Sequence, residues 1–323
     1  MVVTMSALRD RLRGVFGFPV TPFRNDLSLD LEALERNVDD MVRHPFCAMV
    51  AAGGTGEVYS MTPQEIEDVV RVTAQTVNGR MPIVAGVAYN SVIGADIARR
   101  AERAGAHCLL VLPPYYLNAP EAGLFDYYAA IAEASSLPLM IYSRDWATFS
   151  PEQVARLADR VPTLEFWKDG QGDVRKYQRI MEFNGDRLAW LGGLGDDCVS
   201  GYFAIGVQAY TSSISNIAPR LSLALAEAGL AGDFARLNDL MGKYVHPLYA
   251  IRERVRGYEV TVMKKAMDIL GITGGRVRPP LTECRAQDVP DIEALMEVYR
   301  DFVEDGESGE RKERSIRAGG VSR

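Results

Sequence analysis

Two polar residues stand directly after apolar runs of the kind that form buried strands. Lys168 follows the run LEFW and precedes Asp169-Gly170, and Tyr142 follows the run LPLMI. A lysine amine attacks carbonyl compounds when its surroundings lower its pKa, and a phenol can carry protons. Each residue also has a plainer interpretation, a lysine that opens a solvated turn and a tyrosine whose ring packs while its hydroxyl meets water. The fold that positions them decides between these interpretations.

Short apolar runs alternate with amphipathic segments of helical length through most of the chain, which predicts alternating strands and helices. Strands buried on both faces and joined by helices pair in parallel. Eight of them over about 200 residues favour a closed (β/α)8 TIM barrel over an open doubly wound sheet. The predicted strands are Gly14 to Val20, Phe46 to Ala52, Pro82 to Val87, His107 to Leu112, Pro138 to Tyr142, Leu164 to Lys168, Arg187 to Leu191 and Val207 to Thr211.

The same patterns divide the chain into four parts. Residues 1–13 form an N-terminal segment, residues 14–215 carry the barrel strands and helices, and residues 216–304 hold the last barrel helix and additional C-terminal helices. Helical patterns in that third part run over Leu221 to Gly229, Phe234 to Glu253 and Tyr258 to Leu270. Residues 305–323 contain almost no apolar side chains, so we expect a disordered tail.

In such a barrel the functional groups stand at the carboxyl ends of the strands, which places Tyr142 and Lys168 side by side at the barrel mouth. The turn Gly53-Gly54-Thr55 follows the second strand, and its backbone N–H groups suit a carboxylate. A glycine-rich turn is, however, more often plain loop geometry, and this one lacks the ending of a nucleotide-binding P-loop. Tyr115 and Tyr116 follow strand four, either as a rigid aromatic turn or as phenols in the site or across a subunit boundary.

Composition and spacing exclude several other functions. The net charge of −7 and the absence of a Lys/Arg cluster before the tail argue against nucleic acid. No apolar run is long enough to span a membrane, and the first residues lack a secretory signal, so we expect a cytoplasmic protein. His44, His107 and His246 are scattered without metal-ligand spacing, which predicts no metal site. No Gly-x-Ser-x-Gly nucleophile motif occurs.

Taken together and in order, the motifs resemble those of the dihydrodipicolinate synthase and N-acetylneuraminate lyase superfamily. These motifs are FPVTPF at 18–23, GGTGE at 53–57, the tyrosine that ends strand five, KDG at 168–170 and RPPL at 278–281. Within it the pattern is most similar to the 5-dehydro-4-deoxyglucarate dehydratases, whose Tyr-Asn-Arg-Asp appears here as Tyr142-Ser143-Arg144-Asp145. Synthases and lyases usually carry Thr or Ser at the position of Gly54, which speaks against dihydrodipicolinate synthesis.

The resemblance implies a Schiff base between Lys168 and a 2-keto sugar acid, with Tyr142 as the proton shuttle and no cofactor. The implied reaction converts 5-dehydro-4-deoxyglucarate to 2,5-dioxopentanoate, CO2 and water. Arg144 becomes a candidate for the second carboxylate, with a surface or subunit contact as the alternative. Gly192, Gly193, Ser212 and Ser213 would line the pocket, and family members are commonly homotetramers. A lyase that releases pyruvate, a synthase-like enzyme and a non-catalytic sugar-acid sensor remain alternatives.

Overall fold

Eight parallel strands close into a barrel in which each strand pairs with the next along the chain and the last pairs with the first. The computed structural model describes residues 5–115 and 118–303. This topology confirms the predicted (β/α)8 TIM barrel, and every predicted strand is present. The strands are β1 Gly14–Gly17, β2 Ala48–Ala51, β3 Ile83–Val87, β4 Cys108–Val111, β5 Leu139–Ser143, β6 Leu164–Asp169, β7 Ala189–Gly192 and β8 Ala209–Ser212.

Helices connect the strands, and two of them begin with reciprocal caps. The hydroxyl of Thr62 accepts from the N–H of Glu65, whose carboxylate accepts from the N–H of Thr62, and Ser150 and Gln153 repeat this arrangement. The α-helices are α1 Met5–Asp10, α2 Leu31–Met41, α3 Pro63–Val77, α4 Ser91–Arg103, α5 Glu121–Ala132, α6 Pro151–Arg160, α7 Val174–Asn184, α8 Val199–Ala204, α9 Pro219–Ala231, α10 Phe234–Leu240, α11 His246–Arg252, α12 Tyr258–Ile269 and α13 Val289–Val303.

The core lies inside the barrel and between the strands and the surrounding helices. All residues of β2, β3, β4 and β5 are buried, because the helices cover the outer face of strands whose inner face fills the barrel. Trp167 on β6 is fully buried and packs edge-on against Phe149, with ring centroids 5.0 Å apart. Truncating a side chain of this size to alanine costs about 3–5 kcal/mol, so the β6 backbone next to Lys168 is firmly held.

The C-terminal helices pack against the barrel and against each other. Helix α9 lies on β1 and β8, and α13 packs against α11 and α12. The single helix predicted over Phe234 to Glu253 is interrupted by a π-helical turn at Met241–Val245. Pro247 follows this turn, and because proline lacks an N–H and clashes with the preceding turn, the helix widens there.

Helices α1 and α13 were not among the predicted helices, and residues 305–323 lie outside the described residues. No helix in the part of the chain that the structure describes is both long and apolar enough to cross a membrane.

Candidate active site

Lys168 lies near the carboxyl end of β6 and is almost completely buried, with 2% of its surface exposed. Its Nζ donates a hydrogen bond to the carbonyl oxygen of Gly193 at 2.6 Å and lies 3.3 Å from the centroid of the Tyr142 ring. Within residues 5–115 and 118–303, no carboxylate forms an ion pair with this amine. The amine therefore has one hydrogen-bond acceptor and an aromatic face beside it, but no direct counter-charge.

This environment lowers the pKa of Lys168 well below that of an ordinary lysine. Burial is the largest cause, the positive charge of Arg144 adds to it, and the negative charge of Asp169 opposes both. Asp169 is engaged elsewhere, since its Oδ2 accepts from the Tyr202 hydroxyl at 2.8 Å and from the Gly172 N–H at 3.0 Å. A lowered pKa favours the uncharged, nucleophilic form of the amine.

Tyr142 is the register partner of Lys168 across the β5–β6 pair. Its hydroxyl donates to the same Gly193 carbonyl at 2.9 Å and accepts from Nη1 of Arg144 at 3.4 Å. Burial raises the pKa of Tyr142, and Arg144 partly opposes that rise. The phenol thus keeps its proton at neutral pH and can donate it to a reacting oxygen or nitrogen.

Glycines around these two side chains leave room that a larger residue would fill. A Cβ on Gly193 would overlap the side chain of Lys168, and one on Gly170 would overlap the ring of Tyr142. A Cβ on Gly192 would instead overlap the ring of Tyr202. The absence of a side chain at Gly192 therefore makes room for Tyr202 to pack, and not for a ligand. The sequence-predicted Gly192 and Gly193 therefore serve different purposes, and Gly193 supplies the carbonyl that anchors both functional groups.

The turn at Gly53 to Thr55 follows β2, and its predicted role in binding a carboxylate stays a prediction. The carbonyl groups of Gly53 and Gly54 accept from the N–H groups of Val58 and Glu57, at 3.2 and 3.1 Å. The N–H groups of Gly54 and Thr55 have no acceptor in the described part of the chain. A Cβ on Gly53 would overlap Phe18, whereas one on Gly54 would meet nothing within 4 Å. Two adjacent free donors suit a carboxylate.

Arg144 and its neighbours form the rim of the barrel mouth. Arg144 is 33% exposed and pairs with Asp145 at 3.2 Å, so its guanidinium combines a contact to Tyr142 with access to solvent. The Ser143 hydroxyl donates to the carbonyl of Ala147 and fixes the following loop. Trp146 ties this loop to the one after β4 by donating to the Pro114 carbonyl at 3.1 Å.

The structure describes only the first of the two tyrosines that follow β4. Tyr115 lies on the loop that Trp146 holds and is 45% exposed. Tyr116 lies outside the described residues. The prediction that a phenol from this loop enters a site, in this subunit or a neighbour, stays a prediction.

Ser212 and Ser213, which were predicted to line the pocket, bond to a buried aspartate that the sequence analysis did not single out. The hydroxyl of Ser212 donates to Asp196, and the N–H and hydroxyl of Ser213 donate to it at 3.1 and 3.0 Å. Arg252 from α11 donates to the Ser213 hydroxyl at 3.1 Å, and the N–H of Asp196 donates to the Tyr249 hydroxyl at 2.7 Å. These bonds join the ends of β7 and β8 to the C-terminal helices.

The sequence contains a pattern that could have pointed to Asp196. It is the acidic pair Asp196-Asp197, shortly after Gly192-Gly193. Burial raises the pKa of Asp196, while its hydrogen bonds from the two serines and the charge of Arg252 lower it. Among residues 5–115 and 118–303 there is no group of three His, Cys, Asp or Glu side chains that could hold a metal ion.

Residues 11–298 match the Dihydrodipicolinate synthetase family. The chain belongs to this family. The resemblance inferred from the motifs is therefore confirmed. Solved structures of members share its fold: dihydrodipicolinate synthase from Oceanobacillus iheyensis has a TM-score of 0.86 at 26% identity, covering 92% of this chain and all of that one. The enzyme from Bacillus clausii has a TM-score of 0.85 at 25% identity and covers 91% of this chain and 99% of that one.

Relatives with higher identity within the family carry a more specific name. A protein of Bradyrhizobium diazoefficiens named probable 5-dehydro-4-deoxyglucarate dehydratase is 37% identical over 285 residues, covering 88% of this chain and 91% of that one. A protein of Saccharopolyspora erythraea with the same name is 36% identical over 297 residues, covering 91% and 95%. This family member is therefore similar over most of its length to proteins named as dehydratases.

Proposed function

We propose that this member of the family is a decarboxylating dehydratase that converts 5-dehydro-4-deoxyglucarate to 2,5-dioxopentanoate, CO2 and water through a Schiff base on Lys168. The observation that carries the proposal is the buried amine without a carboxylate partner, held against the ring of a protonated phenol. The name shared by its relatives supports the choice of substrate.

The uncharged amine of Lys168 attacks the ketone carbon, and the carbonyl oxygen leaves as water once it has taken up protons. Tyr142 is the group placed to supply one of them, because its hydroxyl shares the Gly193 acceptor with the amine. The product of this step is an iminium ion that withdraws electrons from the neighbouring carbon atoms.

Dehydration and decarboxylation both use this iminium as the electron sink. It acidifies the adjacent methylene, which loses a proton, and the hydroxyl on the next carbon leaves as water. The new double bond is conjugated with the iminium, so the bond to the distal carboxylate can break and its electrons move to nitrogen. CO2 departs and leaves a dienamine that carries the enol. The enol takes up a proton at carbon and loses its hydroxyl proton to become the aldehyde, and the enamine takes up a proton at carbon to restore the iminium. Hydrolysis then frees the keto acid and restores Lys168.

The two carboxylates of the substrate require separate partners. The free N–H groups of Gly54 and Thr55 suit the carboxylate next to the ketone, which has to lie close to the amine. Arg144 is the cation at the rim, and its guanidinium can bind the distal carboxylate until that group leaves as CO2. Gly54 has no side chain, and the open space where its Cβ would lie suits a long substrate at the position where synthases and lyases carry a hydroxyl.

Borohydride reduction in the presence of 5-dehydro-4-deoxyglucarate tests the covalent step, followed by mass mapping of the labelled peptide. We expect the label on Lys168 and none on Lys264, the other buried lysine in the described part of the chain. Product analysis in the absence of borohydride tests the reaction. Release of pyruvate would indicate an aldolase or lyase, and an unlabelled Lys168 during turnover would overturn the proposal.

We also propose that the enzyme is a cytoplasmic homo-oligomer, with the homotetramer that the family resemblance implies as the expected state. The half-exposed phenol of Tyr115 at the mouth gives a neighbouring subunit a surface to cover. Light scattering coupled to gel filtration measures the assembly, and a monomer at working concentration would contradict it.

A further inference from the structure

A second buried lysine lies beneath the turn that carries the free N–H groups. Lys264 on α12 forms an ion pair with Glu57, with Nζ 2.5 Å from Oε1, and the two residues are 2% and 0% exposed. Nζ also donates to the Arg276 carbonyl at 2.6 Å. The N–H of Arg278 donates to the other carboxylate oxygen of Glu57 at 3.3 Å.

This lysine differs from Lys168 in having a carboxylate partner. Burial lowers the pKa of Lys264 and raises that of Glu57, and the charge of each partner offsets only part of the shift of the other. Because a buried charge without a partner is expensive, the two groups remain charged only together. The ion pair with Glu57 and the bond to the Arg276 carbonyl occupy the Lys264 amine, which gives it a structural role.

The backbone that the pair holds is strained at both ends. Ala52 and Glu57 flank the turn and have φ angles of 51° and 56°, in the left-handed region that side chains other than glycine rarely adopt. Such conformations persist only where their surroundings enforce them. Thr21 holds the same segment by donating to the Gly56 carbonyl at 2.7 Å.

The segment after α12 extends this clamp. The Arg278 guanidinium donates to the carbonyl groups of Leu27 and Ser60 and to the carboxylate of Glu65, at distances from 2.6 to 3.0 Å. Both cations also contact the Phe23 ring. Its centroid lies 4.6 Å from Lys264 Nζ and 4.2 Å from the guanidinium carbon of Arg278. Lys264 and Arg278, both in the C-terminal region, therefore hold Glu57 at the end of the turn.

We infer that Glu57 and Lys264 are positioning residues that fix the N–H groups of Gly54 and Thr55 in the orientation that binds the keto-acid carboxylate. This inference rests on the proposed function, because it takes the carboxylate next to the ketone to bind at that turn. The C-terminal helical region thereby contributes to substrate affinity without touching the substrate.

Trapping of Lys168 by borohydride with two probes tests this role. Pyruvate carries the carboxylate that the turn would bind, and acetone offers a ketone without it. We expect Lys264→Met to raise the pyruvate concentration needed for half-maximal labelling by about tenfold or more, the scale for weakening hydrogen bonds to a charged group. The acetone dependence should stay within about twofold of the unaltered enzyme, because the amine itself is untouched.

Controls separate positioning from general damage. Lys265→Met removes a neighbouring half-buried lysine and should leave both probes unchanged, and Lys264→Arg should restore much of the pyruvate affinity. If Lys264→Met does not fold, the double variant Glu57→Gln/Lys264→Met removes both buried charges together and takes its place.

Equal changes with pyruvate and acetone, or no change with pyruvate, would overturn the positioning role. Absence of any label on Lys168 in the unaltered enzyme with 5-dehydro-4-deoxyglucarate would instead overturn the proposed function and the inference with it.

Discussion

Tyr142 and Lys168 are partners in the β5–β6 register, and the lysine amine lies 3.3 Å from the centre of the tyrosine ring. Both side chains donate to one acceptor, the carbonyl of Gly193, which directly follows β7 on the other side of β6. Three consecutive strands thus fix the amine and the phenol, and strands hold such groups more firmly than loops do. The relationship leads to the following predictions.

Replacing Lys168 should abolish turnover while the barrel stays folded. Lys168→Met keeps most of the side-chain volume and removes the nucleophile, so we expect background activity and a far-ultraviolet circular dichroism spectrum like that of the unaltered protein. Lys168→Ala should also show only background activity, and its melting temperature should be lower than that of Lys168→Met. Steady-state kinetics and thermal unfolding provide the measurements. Turnover by either variant above the contaminant level would remove Lys168 from the mechanism.

Removing the Tyr142 hydroxyl should slow turnover by about a hundredfold or more, the usual contribution of a positioned acid or base. Tyr142→Phe retains the ring beside the amine and loses only the proton donor. Tyr299→Phe is the matched control, because Tyr299 is a buried tyrosine with one hydrogen bond, to the Tyr244 carbonyl in the C-terminal helices. A near-normal kcat for Tyr142→Phe would exclude its hydroxyl from the rate-limiting proton transfers.

The pH dependence should report the lowered pKa of Lys168. Only the uncharged amine attacks, so kcat/KM should rise with pH until the pH exceeds the pKa of Lys168 and then level off, well below the range of an ordinary lysine. Tyr142 has a raised pKa and stays protonated across that plateau. An acid limb near the ordinary lysine value would contradict this assignment.

Arg144→Ala should move the acid limb to higher pH. The positive charge of Arg144 lowers the pKa of Lys168, so its removal makes the amine harder to deprotonate. Loss of the charged contact should also raise KM by about tenfold or more. The control is Arg160→Ala on the outer helix α6, half-exposed in its pair with Asp126. An unshifted limb would show that Arg144 does not act on the amine.

Gly193→Ala should reduce both stability and activity. A Cβ at this position overlaps the Lys168 side chain, so either the amine or the backbone has to shift, and overpacking of this kind costs about 1–3 kcal/mol. Gly242→Ala is the matched control, since a Cβ there meets nothing within 4 Å. Melting temperature and kcat/KM measure the two effects. Full activity in Gly193→Ala would contradict the tight placement of the amine.

Much of the architecture could be predicted because its signals are local. Apolar runs of strand length, amphipathic periods and the caps at Thr62 and Ser150 depend on neighbouring residues only. The π-helical turn before Pro247 was missed, since a helical period continues through it in the sequence. Asp196 was missed because an aspartate after a glycine turn is usually a solvated loop residue, and its burial depends on Ser212, Ser213 and Tyr249.

The sequence by itself determined the barrel, the family, and the placement of Lys168 and Tyr142 at the ends of adjacent strands, because parallel strands bring their carboxyl ends to one edge. Tertiary structure alone decided which of the two buried lysines has a carboxylate partner. Lys168 and Lys264 both lie in apolar surroundings, but only Lys264 has a carboxylate brought to it, from a residue 207 positions away. The charge state of a buried amine depends on such distant partners, which no local pattern records.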